Sequence, residues 1–311
     1  MTRAVVFAYH DVGCACLEVL LEQRVEVPLL LTHQDSPGEN IWFGSVAALA
    51  RERGIEAITP EDPNTPAIVG RIRGLQPDFL FSFYYRSMLK PALLEIPKRG
   101  AFNMHGSLLP KYRGRAPVNW AVLRGETRTG ATLHEMTKEP DAGRIVDQEA
   151  VPILPDELAV DVFRKVTGAA ALVLARSLPK LIDGSAVLRA QNLSKGGYFG
   201  ARRPDDGRID WSMPAVRVHD LVRALAPPYP GAFTDLEGRR LRLLRTLIAA
   251  EPDRARPAML LYAEGGRCYA ACGDGGVLEL LEMELDGRPL AAQEFADQMG
   301  GTRLRPGREQ K

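Results

Sequence analysis

An amide and an imidazole stand two residues apart at the end of a short apolar run in the segment AFNMHG. The two side chains belong to Asn103 and His105. Because side chains alternate along a strand, residues two apart share a face and can act on one substrate. An amide N–H stabilises developing negative charge, and an imidazole transfers protons near neutral pH. The pair therefore indicates two side chains that act together at a ligand site. The alternative is an asparagine that closes a turn beside a half-buried structural histidine.

A carboxylate that would support this imidazole occurs later, in the segment KEPDAGRIV. Asp141 stands there in a turn just before a predicted strand. A carboxylate beside a histidine orients the ring and favours its charged form. Asp-Ala-Gly is also an ordinary turn sequence, so Asp141 has value only together with Asn103 and His105. These three are the candidate catalytic residues.

The loop that follows the first pair, GSLLPKYRGRAP, is rich in cations and in turn residues. Lys111, Arg113 and Arg115 would lie near the ends of the strands, and Gly106 and Gly114 punctuate the backbone. Such a loop favours an anionic ligand, although solvated basic loops are common.

Apolar runs alternate with amphipathic stretches along the first third of the chain, as in AVVFAY, CLEVLLEQ, EVPLLLT and DFLFSFYY. This pattern predicts an α/β, Rossmann-like domain with a mostly parallel sheet, whose ligands bind beyond the carboxyl ends of the strands. The first βα turn, YHDVGC, lacks GxGxxG, so a standard dinucleotide site is not expected.

The amino-acid composition changes near residue 190. We expect a catalytic domain at 1–190, a linker rich in Gly, Arg and Asp at 191–212, and a tail at 305–311. Between them, residues 213–304 contain several short apolar runs at close spacing, which predicts a small β-barrel-like subdomain.

Composition narrows the classes of function. The chain has 311 residues, of which 45% are hydrophobic, and its 40 basic residues nearly balance 39 acidic ones. We therefore expect a cytoplasmic protein without a membrane span, and no nucleic-acid partner. The four cysteines lack the spacing of a zinc site, so reduced thiols and no metal are expected.

Two long segments, FNMHGSLLPKYRGRAPVNWA and TLHEMTKEPDAGRIV, resemble the 10-formyltetrahydrofolate-dependent formyltransferases, whose motif is Asn-x-His, a Ser-Leu-Leu-Pro loop and a later Asp-x-Gly. Two later segments also resemble this family: FGARRPDDGRIDW matches the connection to its C-terminal barrel, and RALAPPYPGAF matches the first strand of that barrel. The resemblance implies a Rossmann-like formyltransferase domain followed by a small, OB-like β-barrel subdomain.

The resemblance also implies roles for the matching positions. His105 matches the catalytic histidine, Asn103 the amide that stabilises the transition state, and Asp141 the carboxylate that holds the histidine charged. The positions that would bind the co-substrate, 10-formyltetrahydrofolate, are Ser87, Met88, Leu89, Arg115, Thr137, Lys138, Glu139 and Pro140.

Within the family, FAYHDVGC and FSFYYRSML are most similar to members that formylate UDP-4-amino-4-deoxy-L-arabinose in the lipid A modification behind polymyxin resistance. Other UDP- or dTDP-linked amino sugars and methionyl-tRNA stay open as acceptors, as do hydrolysis of formyl-folate and a folate-binding module without chemistry. The segment THQDSPGENIWFGSV contains no Lys or Arg, which favours a small substrate over tRNA. The members that formylate this sugar are bifunctional and continue into a decarboxylase that makes the sugar precursor. This sequence shows no such part, so we expect a separate dehydrogenase to supply the precursor. Oligomeric state, including a homo-oligomer, stays open.

The remaining histidines and aromatic residues receive structural interpretations. His10 is expected in a turn and His134 packed on a strand, while His33 and His219 show no metal-site pattern. Tyr84, Tyr85 and Trp120 would stack on a ligand or belong to the core.

Overall fold

The computed structural model describes residues 1–36, 38–249 and 257–304, so the predicted tail at 305–311 lies outside the described residues. The chain divides into two compact units. The first comprises Met1–Pro117, Arg128–Pro152 and Phe163–Gly200, and the second comprises Val118–Thr127, Ile153–Val162 and the described residues from Ala201 onward.

The strands of the first unit follow the apolar runs of the sequence. They are β1 (Arg3–Ala8), β2 (Glu26–Leu31), β3 (Ala57–Ile58), β4 (Phe79–Phe83), β5 (Gly100–His105), β6 (Arg113–Gly114), β7 (Arg128–Glu135), β8 (Ile145–Pro152) and β9 (Tyr198–Phe199). The α-helices among the described residues are α1 (His10–Glu22), α2 (Val46–Glu52), α3 (Pro66–Leu75), α4 (Pro91–Leu94), α5 (Pro117–Leu123), α6 (Ala159–Asp183), α7 (Ala215–Leu225) and α8 (Ala292–Met299).

Seven of these strands form one sheet in the order β3-β2-β1-β4-β5-β7-β8. The pairings from β3 through β5 are parallel, whereas β7 runs antiparallel to β5 and β8 antiparallel to β7. The mostly parallel α/β sheet predicted from the sequence is therefore confirmed. Strand order reverses between β1 and β4, and the carboxyl ends at such a reversal form a ligand crevice.

The central strand β4 is buried on both faces. Every residue of β4 is buried, and Phe79, Phe81 and Phe83 are fully enclosed. Val5, Leu29, Ile72 and other apolar side chains form one cluster of the core. Burying a side chain of this size contributes about 1.5–3 kcal/mol, which fixes the strand ends that carry polar residues.

A close helix–strand contact sets the position of the first helix. A Cβ atom at Gly13 of α1 would lie 2.9 Å from Val46 Cγ2 and 3.2 Å from Ala8 Cβ. Glycine at this point lets α1 pack tightly against the end of β1. The first turn of α1 is thereby held beside the crevice.

The second unit contains an antiparallel sheet that matches the predicted run of short strands. Its strands are β10 (Ala232–Leu236), β11 (Arg239–Ile248), β12 (Leu260–Glu264), β13 (Arg267–Ala271), β14 (Val277–Leu285) and β15 (Arg288–Pro289). Their order is β10-β11-β14-β13-β12, with β15 on β14. Trp211 and Phe295 are fully buried in the core of this unit.

Candidate active site

The predicted pair of side chains lies at the carboxyl end of β5. Asn103 is half-buried, and His105, the last residue of the strand, is only 6% exposed. The neighbouring strand β4 ends alongside, because Ser82 pairs with Asn103 in parallel register. Both residues therefore lie at the carboxyl end of β5, beside β4, which borders the reversal of strand order.

Both ring nitrogens of His105 face oxygen atoms. Nε2 lies 2.8 Å from the carbonyl oxygen of Tyr112, and Nδ1 lies 3.6 Å from Oδ1 of Asp141. A carbonyl oxygen only accepts, so Nε2 carries a hydrogen. A charged ring would also direct an Nδ1–H toward the Asp141 carboxylate. This arrangement suits an imidazole that gives up a proton during a reaction.

Asp141 is held by the backbone of the basic loop. The N–H of Gly114 donates to its Oδ2 at 2.8 Å, and the Gln191 side chain donates to its carbonyl oxygen at 2.9 Å. Burial by itself would raise the pKa of this carboxyl. The His105 ring, which is the largest favourable contribution, and the Gly114 N–H oppose burial, and the pKa is held well below its ordinary value of 3.8. Asp141 is therefore ionised at neutral pH.

His134 also belongs to this cluster, although its sequence context predicted only packing. The residue is buried, and its Nε2 lies 3.1 Å from Nδ2 of Asn103 and 3.4 Å from Oδ1 of Asp141. Its Nδ1 lies 2.9 Å from the carbonyl oxygen of Glu135. The structure thus adds a second imidazole to the three predicted side chains.

The backbone near these residues adopts uncommon conformations. His10, Tyr84, Tyr112, Ala116 and Asp141 all have positive φ angles, between 49° and 67°. Such conformations cost energy for residues other than glycine and persist where surrounding structure fixes them. They occur in the segments that follow β1, β4, β5 and β7, which are the segments at the crevice.

A short pairing of strands closes the basic loop. Arg113 and Gly114 in β6 pair in parallel with Tyr198 and Phe199 in β9. Gly114 has φ +100°, and a Cβ there would lie 2.2 Å from the Phe199 carbonyl oxygen. Only glycine fits this approach, which in turn aims the Gly114 N–H at Asp141.

The predicted folate-binding positions fall into two short segments and one separate arginine. Ser87 and Met88 follow β4, and Met88 is 54% exposed, whereas the Leu89 side chain packs in the core. The second segment, after β7, has the exposed residues Thr137, Lys138 and Glu139 and the half-buried Pro140. A turn hydrogen bond joins Thr137 Oγ1 to the Glu139 carbonyl at 2.9 Å.

Arg115 links the basic loop to the segment after β4. Its Nη2 donates to the carbonyl oxygen of Arg86 at 3.2 Å, next to Ser87. Arg115 and Lys111 are exposed, and Arg113 is half-buried. The structure therefore brings Arg115 close to one predicted folate-binding segment.

An ion pair that the sequence did not suggest stands after β4. Arg86 forms a bidentate pair with Glu39, and its guanidinium lies 4.5 Å from the centre of the Tyr9 ring. Its backbone N–H donates to Nε2 of His33 at 2.9 Å. The tyrosine hydroxyl donates to Asp35 at 2.8 Å. The acidic residues of the 33–45 segment are thus engaged within the protein.

A cavity of about 220 Å³ adjoins this network beyond the ends of β1 and β2. Its lining includes Tyr9, Thr32, His33, Asp35 and Phe43. The aromatic faces and polar edges suit a planar, hydrogen-bonding group.

His10 begins α1 within an aromatic cluster. Its ring stacks on Phe43 with centroids 3.8 Å apart and meets the edges of Trp42 and Phe163. Burial, with a contribution from Arg86, lowers the pKa of His10 to about 3. His10 is therefore a neutral ring at physiological pH.

Within residues 1–36, 38–249 and 257–304, no group of three or more His, Cys, Asp or Glu side chains is arranged to hold a metal ion. No helix in that part of the chain is both long enough and apolar enough to cross a membrane.

Two family models match the chain. The first, described as formyl transferase, matches residues 19–178, and the second, described as formyl transferase C-terminal domain, matches residues 202–300. The chain belongs to the formyl transferase family. Asn103, His105, His134 and Asp141 all fall within the first match.

Solved structures share the fold of this formyltransferase. An N-formyltransferase from Helicobacter canadensis, in complex with folinic acid and dTDP-3-aminofucose, has 19% identity and a TM-score of 0.72, covering 90% of this chain and 99% of that one. A 4-N formyltransferase from Francisella tularensis has 21% identity and a TM-score of 0.63, covering 76% and 93%. HypX from Aquifex aeolicus, in complex with tetrahydrofolic acid, has 17% identity and a TM-score of 0.61, covering 99% and 50%.

Proposed function

We propose that this enzyme transfers the formyl group of 10-formyltetrahydrofolate to the 4-amino group of a nucleotide-linked amino sugar. UDP-4-amino-4-deoxy-L-arabinose is the leading acceptor, for the modification of lipid A that gives polymyxin resistance. The observation that carries the proposal is the contact of His105 with the ionised Asp141, beside Asn103 at the mouth of the crevice. Asn103, His105 and Asp141 are the proposed catalytic residues.

The chemistry of formyl transfer matches what these side chains offer. The amine lone pair attacks the formyl carbon, a C–N bond forms, and the carbonyl electron pair moves to oxygen. The Asn103 amide N–H and the charged His105 donate to that oxyanion. The carbonyl then reforms as the bond from carbon to N10 of the folate breaks. N10 gains one proton, and the former amine loses one, with His105 serving the transfer directly or through water.

Asp141 supports this chemistry through the ring of His105. Its carboxylate is ionised and is fixed by Gly114, so it orients the ring and stabilises positive charge that develops on it during the reaction. The Nε2–H of His105, which donates to the Tyr112 carbonyl in the structure, is the proton available to the substrate. Transfer of this hydrogen bond to a substrate atom requires another donor, from the substrate or from water, for the Tyr112 carbonyl.

The folate is proposed to lie along Ser87, Met88, Leu89 and Arg115 and along the run from Thr137 to Pro140. Three observations support this proposal: the exposed Met88 side chain, the contact of Arg115 with the Arg86 carbonyl, and the open turn after β7. The Helicobacter canadensis enzyme was solved with folinic acid and HypX with tetrahydrofolic acid, which fits a folate co-substrate here.

A nucleotide-linked amino sugar is favoured over tRNA as the acceptor. The segment THQDSPGENIWFGSV contains no Lys or Arg to contact an RNA backbone, and its acids Asp35 and Glu39 bind Tyr9 and Arg86 within the protein. The cavity lined by Tyr9, His33 and Phe43 suits a nucleobase. The Helicobacter canadensis neighbour was solved with a dTDP-amino sugar, and the Francisella tularensis neighbour is a 4-N formyltransferase.

Product mass tests the proposal. The purified enzyme is incubated with 10-formyltetrahydrofolate and, separately, with UDP- and dTDP-linked 4-amino and 3-amino sugars and with methionyl-tRNA. The expected result is a UDP-4-amino sugar that gains the mass of one formyl group. Formylation of methionyl-tRNA alone would overturn the proposed acceptor and leave the catalytic residues in place.

A further inference from the structure

His134 occupies a position from which it touches two of the proposed catalytic residues. It stands directly opposite Asn103 in the antiparallel pairing of β5 and β7, so the two side chains share a face of the sheet. The pairing of β7 with β8 is irregular between Leu133 and His134. Bulges of this kind occur beside active sites, where they redirect a side chain.

The hydrogen bonds of the His134 ring define which nitrogen carries a hydrogen. Nδ1 lies 2.9 Å from the carbonyl oxygen of Glu135, which can only accept, so Nδ1 is protonated. In the neutral ring, Nε2 then has a free electron pair. The Nδ2 group of Asn103, 3.1 Å away, is a donor that fits this electron pair.

Asp141 is the alternative partner of the same nitrogen. Its Oδ1 lies 3.4 Å from Nε2 of His134 and 3.6 Å from Nδ1 of His105. One carboxylate can balance one imidazolium, and a second buried cation would be left without a counter-charge. Nε2 of His105 already donates to Tyr112, so its charged form places Nδ1–H toward Asp141. His134 is then left neutral and bonded to Asn103.

We propose that His134 is a positioning residue, whose neutral Nδ1–H form holds the Asn103 amide with one N–H free for the oxyanion. The claim rests on the proposed function of Asn103. Among the described residues, the contact with His134 is the one hydrogen bond of the Asn103 side chain. The terminal torsion of an asparagine is soft and roughly two-fold. Without His134 the amide therefore presents its oxygen to the substrate as readily as its N–H.

A double-mutant cycle tests this role through catalysis. We expect His134→Leu to lower kcat about 10- to 100-fold with little change in either KM, the size of effect typical of residues that orient catalytic groups. In an Asn103→Ala background, His134→Leu should lower kcat less than about threefold, because the amide that His134 positions is absent. His134→Gln keeps an acceptor oxygen and should recover most of the rate. An equal loss from His134→Leu in both backgrounds would overturn the proposal.

A matched control separates positioning from general damage. His219, in the second unit, is also buried and also bonded at both nitrogens, to Thr246 Oγ1 at 2.9 Å and to the Pro155 carbonyl at 3.2 Å. His219→Leu removes a comparable ring far from Asn103 in sequence and outside the first unit. It should destabilise the protein without coupling to Asn103→Ala, and coupling as large as that of His134 would overturn the claim.

A measurement without substrate keeps this claim separate from the proposed function. In protein labelled with ¹⁵N-histidine at pH 7.5, the signals of His134 are identified by their loss in His134→Gln. We expect a protonated Nδ1 and a bare Nε2. A protonated Nε2 would mean that His134 donates to Asp141, and would overturn the proposal. If instead the nitrogen pattern is as expected but no amino sugar is formylated, the proposed acceptor fails and the assignment of His134 stands.

Discussion

Oδ1 of Asp141 lies 3.6 Å from Nδ1 of His105. The backbone N–H of Gly114 fixes the same carboxylate by donating to its Oδ2. His105 is the last residue of β5, and Asp141 lies in the segment that follows β7. The fold thus brings together an imidazole and a carboxylate that are distant in sequence, in an arrangement suited to proton transfer.

Removing either donor to the oxyanion should slow the reaction strongly. We expect Asn103→Ala and His105→Ala each to lower kcat at least about 100-fold, the scale of lost oxyanion donors and acid–base groups. Steady-state kinetics with 10-formyltetrahydrofolate and the amino sugar measure the effect. Rates close to wild type in one variant would remove that residue from the catalytic set.

Asp141 should make the stability of the protein sensitive to acid. Its pKa is lower in the folded state than the ordinary 3.8, so the unfolded chain binds more protons in this range. The stabilisation is present above the ordinary pKa and is lost as pH falls below it. In urea titrations between about pH 5 and pH 2, Asp141→Asn should show a shallower loss of unfolding free energy than wild type. Parallel curves would contradict this account of Asp141.

His10 should contribute to a different pH window. Burial lowers its pKa from 6.5 to about 3, so the folded ring stays neutral while the unfolded ring takes up a proton below pH 6.5. Stability is therefore full above that pH and falls below it, by at most about 1.4 kcal/mol per pH unit for one proton.

The variant His10→Asn tests this window because asparagine tolerates the positive φ at this position. It removes the titrating group and should flatten the dependence of unfolding free energy on pH between 6.5 and 4. Its absolute stability is expected to fall, since stacking on Phe43 is lost, so the slope is the diagnostic quantity. An unchanged slope would mean that His10 is charged in the folded protein.

Gly114 should tolerate no side chain. Gly114→Ala would place a Cβ 2.2 Å from the Phe199 carbonyl at φ +100°, and the loop must shift away from Asp141. We expect a loss of about 1–3 kcal/mol of stability and a fall of about 10- to 100-fold in kcat.

Gly70, inside α3, is the matched control, because a Cβ there meets no atom within 4 Å outside its own helix backbone and chain neighbours. Gly70→Ala should leave kcat unchanged and raise stability by about 0.5–1 kcal/mol. A harmless Gly114→Ala would show that the pairing of β6 with β9 does not position Asp141.

Much of the fold follows from local sequence patterns. Continuous apolar runs such as DFLFSFYY predict buried parallel strands, and β4 is buried throughout. The position of Asn103 and His105 at the end of β5 was predictable because a strand that ends at a turn sequence has a local signal. The antiparallel direction of β7 depends on pairing with β5 and has no local signal.

Other parts of the site depend on contacts between distant segments. Arg113 and Gly114 form β6 only because Tyr198 and Phe199 pair with them, and this contact lies far along the chain. His134 alternates with Met136 like any strand residue, and its role depends on the register with Asn103. The pair of Arg86 with Glu39 likewise joins two loops that the sequence separates. α8 also went unpredicted, because its short amphipathic run follows closely spaced strands.

The fate of the formyl carbon tests the central claim most directly. The enzyme is given 10-formyltetrahydrofolate labelled with ¹³C in the formyl group, UDP-4-amino-4-deoxy-L-arabinose and methionyl-tRNA together, and the label is followed by NMR. The account predicts that the ¹³C signal moves to an amide on the sugar nitrogen, and that His105→Ala abolishes this transfer. Label that accumulates as formate, or on tRNA, with the sugar left unmodified would contradict it.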